Sequence, residues 1–370
     1  MSGPSAPVVT PVEAVDAADR HPLVERVRRY ADEVLRPSAL QTDRDGVGPQ
    51  RIDELRALGL LQHLAPEQYG GLAVDRATDR RLHEVVAGAC FTTWLVWAQH
   101  APLAGRIGER LAQGRTIPPL AESVLRGEIL LGAGISDVRR FPDHYIAATR
   151  VPGGWTFAGT ISWVSGWGLS SALTVAAVEP GTQTVVTALV AVGERTHVAA
   201  PLRLAAVAGS RTERVRLDDV FVPDDHVLST TSLEQTRFED VGVAGDARSH
   251  HFGLAATVLD ELDRSPHPVA RQVADTWRPR VAQIRARAYE LSDEAALAGG
   301  GPHRIDERLA TKVASGEALA TLTRALLVAR SGRGLADDDT AQLHARSALF
   351  VLVQGQSADV RHAQLAHLAR

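Results

Sequence analysis

The period of the apolar positions changes twice along the chain. Over His21–Arg36, residues Leu23, Val27, Tyr30, Ala31 and Val34 recur at helical spacing and mark one stripe of a helix. Arg36-Pro37 ends it, because the residue before a proline is pushed out of the helical region. Pro49–Leu61 reads as an amphipathic helix, Ala77–Gln99 as a long helix that is mostly apolar in its second half, and Pro118 as the start of another reaching Arg126. From Glu128 to about Leu228 the period drops to two. Tyr145–Val151, Trp155–Ile161, Leu173–Val178, Thr184–Val192 and Arg211–Leu217 read as strands, with hairpin turns at Gly153-Gly154 and Pro180-Gly181. After Leu228 the helical period returns in four long stretches, Asp246–Asp263, Pro268–Ala298, Arg304–Arg330 and Asp337–Leu352, with Ser357–Leu368 as a terminal helix. The pattern predicts an α+β chain in three units. These are an N-terminal helical domain over 1–127 with a loose start over 1–20, a small central antiparallel β-barrel or sandwich over 128–228, and a C-terminal four-helix bundle over 229–370.

Composition adds limits to that picture. With 370 residues, 45% hydrophobic and 23% charged, the chain has material for two or three packed domains, and disordered, collagen-like and disulfide-scaffold readings are excluded. The longest apolar run, Ala348–Val353, is far below the roughly 20 residues a membrane helix needs. Met1–Val15 lacks the basic and apolar regions of a signal peptide. The single cysteine, Cys90, fits a reducing compartment, so a cytoplasmic protein is expected. Acids outnumber bases and the net charge is −4, which gives no nucleic-acid footprint. Lys312 is the only lysine; arginine supplies every other basic side chain, a bias read as genomic.

Three segments carry a resemblance. Leu55–Asp75 (LRALGLLQHLAPEQYGGLAVD) has a helix closing at Gly-Leu before a Pro-Glu-x-Tyr-Gly-Gly turn. Gly153–Gly166 (GGWTFAGTISWVSG) is a hairpin followed by a tryptophan-bearing strand, and Leu217–Leu228 (LDDVFVPDDHVL) is a strand and turn leading into the last helices. Together with the helix–strand–helix order, they resemble the acyl-CoA dehydrogenase superfamily and imply its fold. The resemblance implies FAD, with FMN as the alternative, between the β domain and the bundle, and a thioester or other small-molecule substrate beside it. Trp163 would then pack near the flavin ring, with Ser165 and Gly166 at its polar edge, unless Trp163 and Trp167 are core residues of the barrel. Gly132–Pro142 (GAGISDVRRFP) is shorter than the family's flavin loop. It leaves Ser136 as a cofactor contact, and Arg139 and Arg140 as either phosphate ligands or a solvated pair. A homodimer or homotetramer is also implied.

The departures bear on chemistry. Where the family commonly carries a glutamate base, Val353–Gln356 (VQGQ) places Gln354, and an amide cannot accept a proton at neutral pH. A base on the first bundle helix is the family's other solution. Here Gly245–Ala255 (GDARSHHFGLA) offers Asp246, His250 and His251, of which His251 is the catalytic candidate. His100, closing Phe91–Gln99, falls near where flavin monooxygenases of the superfamily carry a pocket histidine. Three functions follow: a flavin-dependent oxidoreductase acting on the CH–CH group of an acyl thioester or related substrate, a reduced-flavin-dependent monooxygenase, or a silent subunit that keeps the fold for assembly. No phosphate loop, zinc-protease pair or serine elbow is present, and no metal is expected.

Overall fold

A computed structural model describes residues 17–100, 107, 114, 116–200 and 202–370; the expected loose start falls largely outside them. Helix α1 (Pro22–Tyr30) begins where His21 Nδ1 accepts the Leu23 N–H, with proline at its first position, and it runs on into a π-helical turn over Ala31–Leu35. Next come α2 (Ala39–Asp45) and α3 (Pro49–Leu58), which closes on left-handed Gly59. The expected single helix over Ala77–Gln99 is two: α4 (Arg76–Ala89), capped by Asp75, and α5 (Phe91–Trp97). Cys90 between them is extended, with φ −150° and ψ 99°. Tertiary packing accompanies the break. A Cβ on Gly88 would lie 2.7 Å from the Gly253 carbonyl oxygen, so a helix of the C-terminal bundle presses on the end of α4. Helix α6 (Pro119–Leu125) closes the first unit.

Eight strands follow among the described residues: β1 (Leu130–Gly134), β2 (Ala147–Val151), β3 (Gly154–Val164), β4 (Ser170–Glu179), β5 (Thr184–Ala191), β6 (Thr196–Ala200), β7 (Glu213–Pro223) and β8 (Val227–Ser232). They form one sheet ordered β6-β7-β3-β2-β4-β5-β8, with β1 also paired to β4. The expected hairpins join β2 to β3 and β4 to β5. The sheet is mixed where an antiparallel one was expected, because β1 and β2 each run parallel to β4. Strand β1 occupies part of the segment read as a flavin loop. Gly132 and Gly134 let Leu173 and Ile161 close over it, at positions where a Cβ would come within 2.7 Å of each. Strand β8 runs through Leu228 to Ser232.

Helix α7 (Leu233–Gly245) leads into α8 (Ser249–Asp263), α9 (Pro268–Leu297), α10 (Ile305–Arg330), α11 (Thr340–Val353) and α12 (Ala358–Leu368). One apolar cluster runs continuously from α1 through α4, α5 and α8 to α11, while a second fills the inside of the sheet. The helical units therefore share a core, and the sheet leans against it. No helix among the described residues is long and apolar enough to cross a membrane.

Candidate functional site

A cleft of about 190 Å³ opens between the end of β3, the 204–206 loop and one face of α11. It is lined by Trp163, Leu204, Ala205, Ala206, Arg346, Leu349, Phe350 and Val353. Trp163 is 41% exposed, unusual for an indole on a strand whose neighbours Ile161 and Val164 are fully buried. Arg346 is held at the rim by Asp43 Oδ2 (2.7 Å), the Ala205 carbonyl (3.1 Å) and Gln342 Oε1 (2.8 Å).

The expected cofactor residues lie near this cleft with different freedom. Ser136 opens a 3₁₀ turn, Ser136–Arg140, whose Asp137 carboxylate accepts the N–H of Ser162, the neighbour of Trp163, at 2.8 Å. The Ser165 hydroxyl is buried in a chain with Thr212 (2.8 Å) and, through it, Ser210 (2.7 Å), so it does not face the cleft as expected. The Gly166 N–H donates to the Ser210 carbonyl, and a Cβ there would meet Val96 at 3.0 Å. Arg139 donates from Nε and Nη2 to the two oxygens of Asp240 (2.7 Å each), while Arg140 stays exposed beside Ser162.

The catalytic candidates are also redistributed. His100 is buried with both ring nitrogens on backbone: Nε2 donates to the Leu61 carbonyl, and Nδ1 accepts the Leu131 N–H at 3.2 Å. Burial pushes its pKa down to about 4. With no ring nitrogen left over, it pins the first unit to β1 instead of serving a substrate. His251 accepts the N–H of Arg248 and caps α8. It packs with Phe252, Ala255, Val281 and Ser315 around a void of about 10 Å³, no larger than one water, inside the bundle. Burial, aided by the Lys312 charge, lowers its pKa to about 3. The neighbouring His250 keeps a free nitrogen: its buried Nε2 has no partner among the described residues. The ring stacks on Trp94 and meets Phe91 edge-on at 6.0 Å; Phe91 in turn meets Phe350 of the cleft at 6.1 Å. His250 thus stands one aromatic layer behind the cleft. Gln354 ends α11 beside Val353, with Oε1 buried and unpartnered, and Gly355 follows in the left-handed region next to the Lys312 ammonium.

Residues 18–123 match the family described as acyl-CoA dehydrogenase, N-terminal domain. Among solved structures, butyryl-CoA dehydrogenase from Megasphaera elsdenii shares 16% identity over 99% of this chain and all of its own, with a TM-score of 0.78. A complex of KijD3 with FMN and a dTDP-linked amino-keto sugar shares 22% identity over 99% of this chain and 95% of its own, TM-score 0.76. Glutaryl-CoA dehydrogenase from Mycobacterium smegmatis with FADH2 shares 15% identity, covers 95% of this chain and 96% of its own, and gives a TM-score of 0.74. No curated protein matches the chain by sequence. The chain has the fold of these acyl-CoA dehydrogenases, and its first unit matches that family's N-terminal domain.

Proposed function

We propose that the chain is a flavin-dependent oxidoreductase working with reduced flavin and dioxygen, in preference to a thioester dehydrogenase. The observation that carries this reading is that, among the described residues, no free carboxylate stands at either position where a base is expected. Gln354 stands at the loop position, and each carboxylate near the start of α8 is tied down. Asp246 is bonded by Arg308 and Ser292, and Asp240 by Arg139 on both oxygens. Proton abstraction from carbon has no acceptor there. The KijD3 complex, with FMN and a sugar nucleotide, supports a flavin and a substrate other than an acyl thioester on this fold.

The residues present fit a flavin. The cleft is apolar, with one exposed indole face for a flat ring to lie against and the guanidinium of Arg346 at its rim. Bound reduced flavin supplies two electrons to dioxygen, with one oxygen atom passing to substrate and the other leaving as water. Trp163 and Phe350 would hold the ring and exclude water from it, and Arg346, paired with Asp43, would lie at its edge. His250, neutral because burial and the neighbouring cations hold its pKa well below the ordinary value, stands one aromatic layer behind the cleft with its Nε2 unpartnered among the described residues.

The test is to load the protein anaerobically with FMN or FAD, oxidised and reduced. Tighter binding of the reduced form, followed by oxygen-dependent product, supports the reading. Anaerobic bleaching of the oxidised flavin by an acyl thioester overturns it, and failure to bind either flavin leaves only an assembly role. Assembly as a homodimer or homotetramer is part of the proposal: Leu297, Val328 and Leu335 are 90%, 74% and 75% exposed on the bundle, and sedimentation velocity reads the outcome.

A further inference from the structure

The corner where α7 meets α8 holds more positive than negative charge. Arg139, Arg248, Arg308 and Lys312 converge there, facing the carboxylates of Asp240 and Asp246 and the neutral rings of His250 and His251. The carboxylates are fully used. Asp240 accepts from Arg139 on both oxygens, and Asp246 accepts from Arg308 on one oxygen and Ser292 on the other. Arg248 and Lys312 have no carboxylate within 4.0 Å among the described residues, and each donates to a backbone carbonyl instead: Arg248 to Val243 (2.9 Å) and Lys312 to Ala244 (2.6 Å).

The two cations differ in setting. Lys312 is only 6% exposed; burial, and then the Arg248 charge, pushes its pKa down to about 7. Arg248 is exposed to solvent, yet the protein crowded round it also lowers its pKa. Its side chain reaches solvent at this corner. Beside these cations are polar atoms with no partner among the described residues: His250 Nε2, which feels both charges, and the Oε1 atoms of Gln354 and Gln356, which flank the Gly355 that packs on Lys312. Two uncompensated cations beside an idle imidazole form a receptor for an oxyanion.

We propose that the corner between α7 and α8 binds an oxyanion of the substrate, a carboxylate or phosphoryl group, through Arg248 with Lys312 and His250 behind it. The bound anion supplies the missing counter-charge. That this anion belongs to a reacting substrate rests on the flavoenzyme reading above; that it binds does not, and binding is read here without catalysis.

The single lysine gives a direct readout. Protein labelled with ¹³Cε-lysine has one lysine side-chain resonance, so its pH titration is that of Lys312 alone. The titration is run at constant ionic strength in chloride, acetate, inorganic phosphate, riboflavin and FMN. Acetate or phosphate is expected to raise the Lys312 midpoint by about one pH unit relative to chloride. Arg248→Gln, a change at a solvent-exposed side chain, is expected to weaken that effect at least tenfold in anion concentration. A midpoint unmoved by acetate and phosphate overturns the site. A midpoint raised by FMN but not by riboflavin, acetate or phosphate overturns its assignment to substrate and gives it to the cofactor. Flavin uptake is followed separately by absorbance, so loss of the flavoenzyme reading and loss of the anion site are distinguishable.

Discussion

The indole of Trp94 stacks on the imidazole of His250, ring centroids 4.1 Å apart and planes 26° apart, while its N–H donates to His83 Nδ1 at 2.9 Å. One side chain thus ties the first unit to the histidine behind the cleft. The hydrogen bond also decides a chemical question. His63, Asp79 and His83 place their ligand atoms within 4.8 Å of one another, a spacing that suits a metal. A metal on His83 Nε2 would require a proton on Nδ1, where the Trp94 N–H already points. Trp94 therefore holds His83 in the Nε2–H form, directed at the Asp79 carboxylate 3.5 Å away.

Substitutions at Trp94 should separate these roles. Trp94→Phe keeps the stack and loses the donor, and a cost of about 1 kcal/mol is expected in urea unfolding. Trp94→Ala should cost about 3–5 kcal/mol. Zinc should leave the thermal midpoint of the wild type unchanged; a clear rise would refute the tautomer assignment.

His100 predicts a pH signature. Its folded pKa of about 4 lies below the unfolded value of about 6.5, so between these pH values the unfolded chain binds more protons. Its stabilising contribution is whole above pH 6.5, shrinks as pH falls toward 4, and changes no further below that. The loss is on the order of 3 kcal/mol. Urea midpoints from pH 7.5 to 3.5 should fall less steeply in His100→Gln than in the wild type. Parallel curves would contradict it.

Trp163 should act on ligand binding and not on folding. Its indole is exposed in the cleft, so Trp163→Ala is expected to leave the unfolding free energy within about 0.5 kcal/mol. Flavin affinity should fall at least tenfold, corresponding to about 1.4 kcal/mol. Fluorescence titration with FMN and FAD measures the second effect and denaturation the first.

Gly253 should tolerate no side chain. A Cβ there would approach the Glu84 carbonyl oxygen to 2.2 Å, and backbone atoms have nowhere to yield. Gly253→Ala should separate α4 from α8, cost more than about 3 kcal/mol and displace His250 and His251 with the helix. A crystal structure of the variant with unmoved helices would dispose of the idea.

Local signals in the sequence located most elements but not their interruptions. The stripes of α9 and α10 and the hairpin at Gly153 were legible because proline, glycine and apolar spacing agree there. The break at Cys90 was not, because nothing between Ala89 and Phe91 forbids helix; it coincides with the close crossing of α4 and α8, which is tertiary. Helix α7 was missed because its apolar residues, Leu233, Phe238, Val241 and Val243, share no single stripe, and Phe238 and Val243 are exposed. Strand β1 was missed because its glycines read as loop. At the site, Trp163 was legible from its motif. Which of His250 and His251 stays free depends on a capping hydrogen bond that spacing cannot show. The setting of Lys312 was not legible either: its burial beside Arg248 is a product of helix packing that an arginine-rich composition does not reveal.

That solitary lysine has a practical consequence. A protease specific for lysine has one cleavage site in the chain, and it lies inside α10 with the side chain packed away. Cleavage can proceed only when the bundle opens around Lys312, so the appearance of two fragments from one band records the opening frequency of a single chosen place in the core.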